Sequence, residues 1–80
     1  MRLAEAVKNR ILSLCDREHI TLNKLSYLCG MTQSTLNNIV NGASKDPKIS
    51  TIKKICDGLD MTLAEFFSSE EFNNLEQEIK

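Results

Sequence analysis

One short device occurs at three places in this chain and constrains its architecture more than any other feature: an apolar residue, a threonine directly after it, and a second apolar residue four positions beyond the threonine. The instances are Ile20-Thr21 with Leu25, Met31-Thr32 with Leu36, and Met61-Thr62 with Phe66. In each, the threonine hydroxyl can accept from the free backbone N–H groups that open a helix, while the flanking apolar pair closes across the first turn as a hydrophobic staple. At the third site Glu65 completes a Thr-x-x-Glu capping box, which predicts a helix opening at Leu63. Three such starts within 80 residues leave room only for short helices joined at sharp corners.

The remaining elements follow from periodicity and from the sparse breakers. Leu3, Val7, Ile11, Leu14 and Cys15 recur at three- and four-residue steps and predict an amphipathic helix over 2–18. Gly42 is expected to end the third helix, and a fourth start is expected after Ser50, once Pro47 has kept the preceding chain out of helix. The expected order is helices near 2–18, 22–29, 33–41, 51–59 and 63–68, with a sixth from about 70 to 79 carrying a stripe of Phe72, Leu75 and Ile79. With one proline and three glycines, the chain reads as an all-α, compact five-helix domain over 1–68, followed by a short acidic C-terminal helical tail, 69–80.

The net charge of −1 is an average of two unlike parts. Residues 1–54 carry nine Lys/Arg against four acids, and residues 55–80 carry one lysine against seven acids. A basic body permits a polyanionic partner. The three cysteines, Cys15, Cys29 and Cys56, match no metal-ligand or redox spacing and read as reduced core residues. No apolar run approaches the roughly 20 residues needed to cross a bilayer, and Glu5 arrives before a signal peptide could form, so a soluble, cytoplasmic protein is expected.

Residues 22–41 combine a two-turn helix, a tight turn through Gly30 and a second helix opening at the Thr32 cap, which is the helix-turn-helix spacing. Ser26 offers a small side chain where the two helices would approach. The outward side of the second helix is Gln33, Ser34, Asn37, Asn38 and Asn41, with Leu36, Ile39 and Val40 inward. Serine and asparagine are mediocre helix formers, so helix stability alone does not account for them. Each amide offers one donor and one acceptor in a plane, which suits the N6 donor and N7 acceptor of adenine in the major groove.

These stretches, Thr21-Leu22-Asn23-Lys24-Leu25-Ser26 and Gly30 through Gly42, together with Pro47 and the run Ile52 to Leu63, resemble the Cro-type and phage-repressor-type helix-turn-helix family, also called the XRE family. The resemblance spans nearly 3–67 and implies a lambda-repressor-like fold with residues 33–41 as recognition helix. It implies base contacts from Gln33, Ser34 and Asn38, with Asn37 added, and phosphate contacts along Thr21, Asn23, Thr32, Thr35, Asn41, Lys45 and Lys48. There are departures. Leu22 replaces a glutamine that commonly meets phosphate, and Cys15 and Val40 stand where many members bury an Arg–Glu pair. His19 and Asp60 stand where glycine is frequent, and Gly58 falls two residues early.

An enzyme is not expected: the single histidine, His19, has no partner in the sequence, and neither a phosphate loop nor a metal or cofactor motif is present. The favoured reading is a sequence-specific transcriptional regulator, a repressor, acting on a double-stranded DNA operator as a homodimer, with no membrane or small-molecule substrate indicated. The competing reading is a protein-interaction module, or an antitoxin-like partner protein, on the same fold.

Overall fold

Helices α1 (Leu3–Glu18), α2 (Leu22–Cys29), α3 (Gln33–Val40), α4 (Ile49–Gly58) and α5 (Leu63–Phe66), then a 3-10 turn over Glu70–Asn73, follow one another in the computed structural model, which describes residues 1–41 and 46–79. Gly42 and Lys45 therefore lie outside the described residues. No described helix is long and apolar enough to cross a membrane.

The threonine device works as expected and is part of a larger corner. Thr21, Thr32 and Thr62 accept from the backbone N–H of Lys24, Thr35 and Glu65 respectively. At Thr62 the capping box closes, with the Thr62 N–H donating to Glu65 Oε1 at 2.8 Å. Those bonds to the carboxylate hold Glu65 below the usual carboxylate range. Each device is preceded by a residue in the left-handed region: His19 at φ 56°, Gly30 at φ 66° and Asp60 at φ 55°. In all three corners the N–H of the apolar residue reaches back to a carbonyl of the preceding helix, Ile20 to Cys15, Met31 to Ser26 and Met61 to Cys56, at 3.0, 3.1 and 2.9 Å. One helix thus ends in a Schellman closure whose last residue is the staple of the next helix. Histidine and aspartate are among the residues that tolerate this conformation, so glycine is needed at neither corner.

The core draws on every helix. Ile11, Leu14, Leu25, Leu36, Ile55, Cys56 and Phe66 are fully enclosed, with Val7, Cys15, Cys29, Ile39, Val40 and Ile52 beside them. The cysteines are free thiols in this core. Burial, with Cys15 and Cys56 adjacent, pushes the Cys29 thiol up to about 11, so it stays protonated and unreactive at neutral pH. Cys15 and Val40 both lie in this same cluster, so the two positions are apolar together and neither leaves a buried charge without a partner.

Two expectations are corrected. Helix α4 begins at Ile49 rather than after Ser50, because Pro47 restricts the residue before it and Lys48, in extended conformation, already serves as N-cap. The helix expected over about 70–79 is only the 3-10 turn Glu70–Asn73. Adjacent Asn73 and Asn74 are weak helix formers, and the chain beyond them is held otherwise, with the Glu76 N–H donating to the Met1 carbonyl at 3.0 Å. The expected stripe accordingly breaks up. Phe72 packs back on Phe66 and Phe67 with ring centroids 6.1 and 5.0 Å away, Leu75 is half-buried and Ile79 is 85% exposed.

Two ties were not visible in the sequence. Arg10 of α1 donates to the Phe66 and Glu65 carbonyls at 2.7 and 2.8 Å, closing the end of α5 from across the chain, and its guanidinium stands 5.9 Å from the Phe66 ring centroid. Gly58, the last residue of α4, lies against α2: a Cβ there would come within 2.8 Å of Cys29 Sγ and 3.1 Å of the Leu28 carbonyl carbon and oxygen. The thiol can rotate, but the Leu28 backbone cannot. Gly58→Ala is therefore expected to destabilise the protein by about 1–3 kcal/mol through overpacking, overriding the helix-propensity gain of about 1 kcal/mol. A urea titration followed by circular dichroism checks it, and an unchanged or higher midpoint would show that α2 can step back.

Candidate nucleic-acid interface

Helix α2 packs against α4, α3 and α1, and α3 packs against α2 and α1, so the pair is seated on the rest of the core from behind. Gly30 has open space where a Cβ would stand, and it is required for its left-handed backbone alone. Ser26 is 4% exposed, and its hydroxyl donates to the Asn23 carbonyl at 2.7 Å. The polar side chain is thereby satisfied at the narrow crossing between helices.

Helical geometry, at about 100° per residue, puts Leu36, Ile39 and Val40 on one side of α3 and Ser34, Asn38 and Asn41 on the other. The burial matches: the first three are enclosed, whereas Gln33, Ser34, Asn38 and Asn41 are exposed. Asn37 lies on the flank and is half-buried. The side chains of Gln33, Ser34, Asn37 and Asn38 make no hydrogen bond to another described residue. Their donors and acceptors are free to face a ligand. Thr35 is exposed on the opposite flank, where its hydroxyl meets that of Thr32 at 2.9 Å.

Thr21 and Asn23 are exposed at the start of α2. Leu22, by contrast, packs against the core, so this position has exchanged a polar contact for apolar anchoring of α2. Lys48 is exposed at the start of α4, where no side chain caps the first N–H groups. A cleft of about 330 Å³ joins the two elements, lined by Thr35, Asn38 and Ile39 from α3 and by Pro47, Lys48 and Thr51 at the start of α4. Asp46 also lines it, a carboxylate that sequence reading did not single out and that opposes an anion there. On α2, Lys24 Nζ stands 5.2 Å from the ring centroid of Tyr27, itself 78% exposed. Of the residues singled out from the sequence, the structure brings Ser34, Asn38 and Asn41 onto one ridge, with Thr32 and Gln33 exposed at its head. Lys48 stands across the cleft, and Thr21 and Asn23 sit on the neighbouring helix.

The 3-10 turn lies against α1. No three metal-ligating side chains converge among the described residues.

Residues 10–71 match the family model described as the Cro/C1-type HTH DNA-binding domain. Among solved structures, the crystal structure of the prophage Lp1 protein 11 is similar to this chain, with a TM-score of 0.80 and 34% sequence identity over 91% of this chain and 97% of that one. No curated protein matches.

The ridge depends on the Thr32 cap, since α3 is only eight residues long. Thr32→Ala is expected to cost about 1 kcal/mol, with Thr32→Ser retaining most of it. Equal denaturation midpoints for the alanine variant and the parent protein would refute the cap's contribution.

Proposed function

Because the chain belongs to the Cro/C1-type helix-turn-helix DNA-binding family, we propose that it is a transcriptional repressor that binds a double-stranded operator with α3 in the major groove. The observation that carries this reading is the exposed ridge of Ser34, Asn38 and Asn41 with Gln33 at its head, where the Gln33, Ser34 and Asn38 side chains make no hydrogen bond to another described residue. Helix α3 contains no acidic residue, so nothing on it repels phosphate.

In this reading Gln33, Ser34 and Asn38 meet base edges, with Asn37 reaching them from the flank. Thr21, Asn23, Thr32, Thr35, Asn41 and Lys48 lie along the phosphates, and Lys45 belongs to the same set by its place in the sequence. The uncapped start of α4 and the N-termini of α2 and α3 present backbone N–H groups suited to phosphate oxygens. The DNA-reading unit is residues 1–68, and 69–80 is an acidic appendage whose 3-10 turn lies against α1. The protein acts in the cytoplasm, where an operator is accessible, and its role is binding rather than catalysis.

One recognition helix reads only a few base pairs, so a homodimer on two half-sites about one helical turn apart is the working form. Phe66 is fully enclosed, so it does not supply the dimer contact. Sedimentation on operator DNA is expected to show two chains per duplex, and a single chain per duplex at saturating protein would exclude the dimer.

Base and phosphate contacts separate by their response to sequence and salt. Gln33→Ala is expected to cost about 1–3 kcal/mol on the preferred site and little on random DNA. Lys48→Ala is expected to weaken all duplexes alike and reduce the salt slope by about one. Mobility-shift titrations over a salt series measure both, and equal losses from Gln33→Ala on specific and random duplexes would defeat its assignment.

A further inference from the structure

We propose that Asp46 is an internal anion that competes with DNA phosphate for the cleft between α3 and α4, and so holds down the protein's affinity for every duplex; this rests on the DNA-binding reading above. From His19 to Cys56 the chain carries five lysines and a single acid, and that acid is Asp46. The stretch includes α2, α3 and most of α4, the elements assigned to DNA. A surface without acids suits a polyanion, so one carboxylate set into it weakens the attraction.

Asp46 is exposed and lines the cleft together with Asn38, Lys48 and Thr51. Among the described residues it forms no ion pair, and no side chain accepts from the first N–H groups of α4. The carboxylate is thus neither neutralised by a described cation nor spent as a helix cap. Pro47 accounts for the second point. It disfavours the helical region for the residue before it, which keeps Asp46 out of the first turn, and Lys48 takes the N-cap position that an aspartate fills well. A phosphate entering the cleft therefore meets two charges of opposite sign, Lys48 and Asp46. The repulsion of one offsets the attraction of the other, because both stand at the same surface under the same screening. No base edge takes part, so the loss falls on specific and random sequences alike and leaves base choice by α3 unaltered.

The test is a mobility-shift titration of the full chain and of Asp46→Asn, Asp46→Ser and Asp46→Glu over a salt series. Each is run on a duplex selected from a random pool and on a duplex of random sequence, with circular dichroism confirming that the variants are folded. Both neutral variants are expected to bind both duplexes about threefold tighter at low salt. The gain should shrink as salt rises, with the salt slope steeper by up to about one, and Asp46→Glu, which keeps the charge, should stay near the parent protein. Unchanged affinity in the neutral variants would overturn the proposal, as would a gain from Asp46→Asn alone, which would mark a new amide contact. Weaker binding by the neutral variants would overturn it too, and a loss confined to the selected duplex would make Asp46 an acceptor for a cytosine N4 donor instead. If neither parent nor variants bind any duplex in the pool, it is the DNA-binding reading that fails, and this inference with it.

Discussion

The close approach of α2 to α4 at Gly58 is the contact on which the functional surface depends. Helix α2 is the only element with packing partners in α1, α3 and α4 together among the described residues, and Gly58 lets its last turn lie directly on α4. Anything that lifted α2 off α4 would also tilt α3, because the two are joined through Gly30 and Met31 with no slack. The orientation of the amide ridge is thus set by a site behind it that touches no ligand. A side chain as small as a methyl group is enough to disturb it, because interiors packed at crystal density transmit strain rather than absorb it.

Local order is supplied by the corners. At each of the three, a left-handed residue, an apolar residue and a threonine do double duty, ending one helix and starting the next. Ile20, Met31 and Met61 use their N–H to satisfy an orphan carbonyl while their side chains pack on the core. Helices of four to ten residues, as α2 to α5 are, would be marginal in isolation. Ending one helix and starting the next with the same few residues helps them hold their shape with a modest core.

The elements with local signals were legible in the sequence: the starts at Thr21, Thr32 and Thr62, the amphipathic face of α1, and the outward and inward sides of α3. The left-handed positions of His19 and Asp60 were legible only through the family resemblance, since neither residue type announces that conformation. What sequence reading missed was non-local or competitive. Gly58 does end α4, but its close approach to α2 could not be read because Leu28 is 30 residues away. The apolar spacing of Phe72, Leu75 and Ile79 suggested a helix, but aromatic packing of Phe72 and the Glu76 tie to Met1 prevailed over a weak periodic pattern. In the candidate site the exposed amides stood where expected, whereas the half-burial of Asn37, the core anchoring of Leu22 and the carboxylate of Asp46 in the cleft follow from how the helices meet.

Arg10 links the beginning of the chain to its far end: its two donors serve carbonyls 55 and 56 residues downstream. A nascent polypeptide therefore cannot complete this tie until Glu65 and Phe66 have been made and have emerged from the ribosome. During translation α1 must wait with its guanidinium solvated, and the closing contacts form only once α5 has emerged. The domain thus cannot be closed by its N-terminal helices alone, since the carbonyls that its first helix needs lie on α5.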